Sequence, residues 1–70
     1  MNEAIDIQSE KQRVYIYRNG AELVINEPHS LYITESGSHR VVHKDGTCTR
    51  PEPGYIGIRW VQTNGKAFDF

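Results

Sequence analysis

The sequence predicts an all-β fold: an antiparallel meander of about six or seven short strands, closed into a small SH3-like barrel or folded into a two-sheet roll. Three observations carry this. The dipeptides Asn19-Gly20, Asp45-Gly46 and Asn64-Gly65 each sit between two β-rich runs, the strongest short-range hairpin signal. No window of eleven residues keeps apolar spacing at helical period without a Gly or Pro interrupting it. The chain has 70 residues, enough to cover a twisted sheet only by folding it over itself.

The elements follow in order. Residues 1–12 form an acidic N-terminal segment, either a solvated tail or a short edge strand, and residues 13–70 form a single small β domain. The first hairpin joins the run 13–18 to the run 21–25. A two-residue turn there would set Ile16 opposite Leu23, Tyr15 opposite Val24 and Val14 opposite Ile25. Val14, Ile16, Leu23 and Ile25 would then be the core face, and Tyr15 and Tyr17 a half-exposed one. A lone run, 30–35, precedes the second hairpin, whose runs are 39–44 and 47–50. Residues 50–54 contain Pro51 and Pro53 and read as a stiff loop, since proline removes ladder donors. The last hairpin pairs 55–61 with 66–70. It would set Val61 opposite Phe68, Trp60 opposite Asp69 and Arg59 opposite Phe70. Gly57, inside that first run, marks a bulge or barrel corner.

Composition narrows the function. Hydrophobic residues make up 37% of the chain, above the disordered regime, and seven aromatic residues supply bulk for a core. A domain of this size buries only about 60% of its unfolded surface, so a partner or a second copy would add stability. The single cysteine, Cys48, allows no internal disulfide framework and fits a reducing compartment, so the cytoplasm is the expected location. No apolar run approaches the roughly 18 residues of a membrane span, and Met1-Asn2-Glu3 opens no signal peptide, so no membrane association is expected. A free-standing domain this short fits an accessory protein of a bacterium or its virus.

Charge is nearly balanced, with eight Lys and Arg against nine Asp and Glu. Nucleic-acid binders usually carry a stronger basic footprint. The only metal-like constellation is His39, His43 and Cys48 on the middle hairpin, where a two-residue turn would place His43 opposite Cys48. One cysteine without paired short spacings falls short of a four-ligand zinc site, so no metal and no cofactor are assigned. The same pair lacks a group to orient the imidazole and a cleft to exclude water, and no phosphate loop or nucleophile elbow is present. No enzyme is expected.

The aromatic and basic inventory is the functional handle. Tyr15, Tyr17, Tyr32, Tyr55, Arg59, Trp60, Phe68 and Phe70 are the residue types of protein–protein hot spots. The expected function is a small non-catalytic β-module that binds another protein, as adaptor or inhibitor, with a homodimer as one form of that association. The alternative is a small-barrel nucleic-acid-binding protein, stacking bases on the tyrosines and tracking phosphates with Arg40, Lys44, Arg50 and Arg59.

Overall fold

The computed structural model describes residues 3–69, so Phe70 lies outside the described residues. The fold is all-β, with 61% of the described residues in strands and no helix among them, in two antiparallel sheets of four strands that do not close into a barrel. Eight strands are present among the described residues: β1 (Glu3–Asp6), β2 (Glu10–Tyr17), β3 (Glu22–Asn26), β4 (Pro28–Ile33), β5 (His39–His43), β6 (Cys48–Thr49), β7 (Tyr55–Gln62) and β8 (Ala67–Asp69). One sheet has the order β1-β4-β5-β6 and the other β3-β2-β7-β8. The two-sheet form of the expectation is the one adopted, but a pure meander is not. β1 pairs with β4, and β2 with β7, across long stretches of sequence.

The non-sequential pairing comes from one long bent ribbon. Residues 3–17 run antiparallel to residues 21–33 almost without a break. Glu3 is opposite Ile33, Ile7 N–H donates to the His29 carbonyl, Glu27 N–H donates to the Lys11 carbonyl, and Tyr17 N–H donates to the Ala21 carbonyl. The ribbon bends sharply at two facing places. On one strand, Glu10 N–H closes a turn onto the Ile7 carbonyl at 2.9 Å. On the other, Glu27 takes a left-handed backbone conformation, φ 50°, between Asn26 and the fully buried Pro28. Each strand therefore leaves one sheet and enters the other at the same corner, as strands do when a sheet folds on itself. β5 and β6 extend one sheet from β4, and β7 and β8 extend the other from β2. Residues 50–54, with Pro51 buried, carry the chain back between the sheets.

The three hairpins at Asn19-Gly20, Asp45-Gly46 and Asn64-Gly65 are three-residue loops rather than two-residue ones, and this corrects the expected register by one. Tyr17 N–H bonds the Ala21 carbonyl, His43 N–H the Thr47 carbonyl, and Gln62 N–H the Lys66 carbonyl. Within each of these dipeptides only the glycine, Gly20, Gly46 or Gly65, takes positive φ, near 90°, while Asn19, Asp45 and Asn64 do not. The Asn and Asp side chains instead accept the N–H two residues on, at 2.9–3.0 Å. That is a type I turn followed by a left-handed glycine, in place of the expected turn with two left-handed residues. Ser36-Gly37 uses the same device between β4 and β5, with Thr34 N–H donating to the Ser38 carbonyl.

A slip of one residue exchanges the faces of every strand it touches. Tyr15 sits opposite Leu23 and Ile58, and Val14 opposite Val24 and Arg59. The inner face of the β3-β2-β7-β8 sheet thus carries Arg13, Tyr15, Leu23, Ile25, Ile58 and Trp60, while Val14 and Ile16 lie on the outer face with Val24. The core between the sheets is Ile7, Tyr15, Ile25, Leu31, Val41 and Ile58, with Leu23, Ile33, Tyr17, Tyr55 and Trp60 packed around it. Enclosing an aliphatic side chain such as Leu31 contributes about 1.5–3 kcal/mol, so this is a small core. The register between β2 and β7 shifts beside Gly57, which faces Ile16, while Tyr17 faces Tyr55. Ile56 is the extra residue of that bulge and is 59% exposed.

Candidate binding groove

The open side of the two sheets, between the edge strands β3 and β6, holds a groove of ≈ 570 Å³. One wall is the first hairpin: Tyr17, Arg18, Asn19, Ala21 and Leu23. The other is Thr49 of β6 with Arg50, Glu52 and Gly54 of the proline-rich connection. The volume falls in the range typical of ligand clefts, about 300–1,000 Å³. Tyr17 ties the walls together, because its hydroxyl donates to the Glu52 carbonyl at 2.9 Å. Arg18 and Arg50 are exposed, and neither guanidinium has an acceptor among the described residues. Burial and the nearby Glu52 carboxylate push the Tyr17 phenol above its ordinary value, so it stays protonated and keeps that donation.

Behind the groove stands an aromatic cluster. Tyr55 packs edge-on to Tyr15 at 4.9 Å and to Tyr17 at 6.3 Å between ring centroids. The His39 ring lies 5.7 Å from both Tyr15 and Tyr55. A chain of polar groups leads from it into the interior. Tyr15 and His39 are hydrogen-bonded at 2.8 Å, Arg13 Nε donates to Tyr15 Oη at 3.0 Å, and Arg13 Nη1 meets Glu10 Oε2 at 2.8 Å. Glu10 and Arg13 are both buried. Burial raises the Glu10 carboxyl above its usual range against the pull of Arg13, and burial with the Arg13 charge lowers the His39 imidazole.

The eight residues expected at a protein interface are dispersed. Tyr15, placed by the sequence on a half-exposed face, is fully enclosed and belongs to the core. Tyr17 lines the groove and Tyr55 backs it. Tyr32 lies on the outer face of the other sheet, opposite Ala4 and Arg40. Trp60 faces Phe68 rather than Asp69, and their rings stack at 5.8 Å with Phe68 41% exposed. Arg59 faces Asp69 rather than Phe70, and the two form an ion pair at 2.8 Å.

The four basic residues of the alternative reading do not form a stripe. Arg59 is taken by Asp69, Lys44 lies 4.0 Å from Glu27, and Arg40 donates to the neighbouring His39 carbonyl. Arg50 alone lies in the groove. The corrected register also separates the metal-like trio. Cys48 is opposite Val42 on the outer face, whereas His39 and His43 share the inner side of β5 with Val41. His43 Nε2 bonds Thr49 Oγ1, and His39 is engaged by Tyr15.

Sequence reasoning marked Tyr17 and Arg50 but did not bring them together with Arg18, Leu23 and Thr49. The signal was the hairpin tip Arg18-Asn19-Gly20 beside a proline-rich loop, and only the three-dimensional return of residues 50–54 joins them. No protein-family model matches this chain, and no curated protein and no solved structure matches it.

Proposed function

We propose that this chain is a small non-catalytic β-module that binds another protein, as an adaptor or inhibitor does. The observation that supports it best is the groove, an apolar slot of ≈ 570 Å³ bounded by two strand edges and rimmed by two arginines, edges and arginines alike without a partner among the described residues. Strand edges with open hydrogen-bonding groups recruit further strands, and arginine beside tyrosine is a frequent interface pairing. Exposed Val24, Ile56 and Phe68 add apolar surface that a partner or second copy would cover. Dispersal of Arg40, Lys44 and Arg59 into local contacts weighs against a phosphate-tracking surface.

Affinity capture from source lysate, with and without nuclease, tests the reading. A protein partner retained after nuclease treatment supports it. Capture of nucleic acid alone, with binding that falls steeply with salt, overturns it in favour of the alternative. Sedimentation of the purified chain at micromolar concentration reads the self-associating form.

A further inference from the structure

We propose that the groove between β3 and β6 receives an extended, acidic peptide segment of the partner protein. The inference rests on the protein-binding reading and names the ligand's chemistry and its place.

Three observations select this occupant. First, the groove is flanked by strand edges on both sides. Among the described residues β3 is hydrogen-bonded only to β2, and β6 only to β5, so each has an edge row of backbone groups with no strand paired to it. An extended polypeptide is the ligand whose own N–H and C=O groups match such a row. β3, five residues long, lines the groove at Leu23, and β6, two residues long, lines it at Thr49. Second, Leu23, Ala21 and the Tyr17 ring give the hairpin wall an apolar lining, so alternate side chains of the added strand would be aliphatic. Third, the charges at the rim are unequal. Arg18 stands on the hairpin tip and Arg50 on the opposite wall, both without an acceptor among the described residues, against the carboxylate of Glu52 in the groove lining. Guanidinium groups on both walls fit a segment with carboxylates on either side of its apolar centre.

The test is a titration of the ¹⁵N-labelled full chain followed by amide NMR shifts. The probe is an acetylated and amidated pentapeptide with Val-Leu-Val between two glutamates, set against the same peptide with two lysines. The expected result is that the glutamate peptide shifts the amides of residues 21–23 and of Thr49, Arg50 and Glu52, and the lysine peptide does not. R18Q/R50Q should weaken the glutamate peptide by about fivefold to tenfold, the worth of two exposed charge pairs. Both arginines are exposed, so the variant spectrum should otherwise overlay the parent. Equal response to both peptides, shifts confined elsewhere, no response at millimolar peptide, or unchanged affinity in R18Q/R50Q each overturns the inference. If a captured partner still binds R18Q/R50Q undiminished, the groove assignment fails while the protein-binding reading stands. If the chain captures no protein at all, that reading fails first.

Discussion

Tyr15 of β2 and His39 of β5 are hydrogen-bonded at 2.8 Å, a side-chain bridge from one sheet to the other across the interior. The protons can be placed. Arg13 Nε has only a donor to offer and donates to Tyr15 Oη at 3.0 Å, and among the described residues the buried phenol proton has no acceptor other than His39 Nδ1, so it is directed there. His39 must then accept at Nδ1 and carry its hydrogen on Nε2. A second proton on the ring would turn the acceptor into a donor aimed at an oxygen already receiving Arg13, and would add a cation beside another.

The bridge makes stability depend on pH. Burial and Arg13 lower the His39 imidazole below its ordinary value of 6.5, so the unfolded chain binds its proton first. The His39 contribution is therefore complete above about pH 6.5 and is lost as the pH falls through the lowered folded value. Urea unfolding should give a lower midpoint at pH 5.5 than at pH 7.5. His39→Asn, which offers a carbonyl near the Nδ1 position and does not titrate, should lose most of that difference.

Tyr15→Phe keeps the ring in the core and removes one oxygen. Arg13 Nε and His39 Nδ1 would both lose a buried partner, a cost of about 1–3 kcal/mol. Equilibrium denaturation at pH 7.5 should show this loss with an unchanged slope against denaturant, since the surface exposed on unfolding is the same.

Glu10 and Arg13 form an ion pair at 2.8 Å with both side chains 8% exposed, and Glu10 Oε1 has no partner among the described residues. Glu10→Ala leaves the guanidinium buried and unpaired and should cost about 3–5 kcal/mol. Glu10→Gln keeps an acceptor for Arg13 while avoiding the desolvated negative charge, and should stay within about 1 kcal/mol of the parent. Because burial raises the Glu10 carboxyl, its contribution is full below the ordinary carboxyl value and is lost as the pH rises through the raised folded value. This opposes His39 in acid, and comparing the pH profiles of Glu10→Gln and His39→Asn separates the two.

Glu27 holds φ at 50° at the corner where the ribbon passes from β3 to β4, and among the described residues its exposed side chain reaches only Lys44, at 4.0 Å. A left-handed conformation costs a non-glycine residue roughly 1–2 kcal/mol, less for asparagine. An exposed ion pair at that distance returns little. Glu27→Asn should stabilise the fold by about 0.5–1 kcal/mol, read as a rise of about 4 °C in Tm for a domain of this size.

Local chemistry already wrote much of this architecture. The Gly dipeptides, the alternating runs around Tyr15, Val41 and Ile58, and the absence of helical period place the β strands near their observed positions and the bends between them. Those signals are local because turn dihedrals and strand pleat are properties of a few neighbouring residues. The register was not legible. Asn19-Gly20 serves a two-residue loop or a three-residue loop equally, and the choice depends on whether Asn19 as well as Gly20 must turn left-handed. What settles it is which face of β2 the rest of the chain covers. With Tyr15 inward, its ring packs on Tyr55 and its hydroxyl joins Arg13 to His39. With Val14 inward, Arg13 and Glu10 would have no such partners. The pairing of β1 with β4 and of β2 with β7, and the groove that brings Arg18 to Arg50, likewise belong to the tertiary structure. They join residues far apart in sequence, and no local propensity encodes a contact whose closure depends on the whole core forming at once.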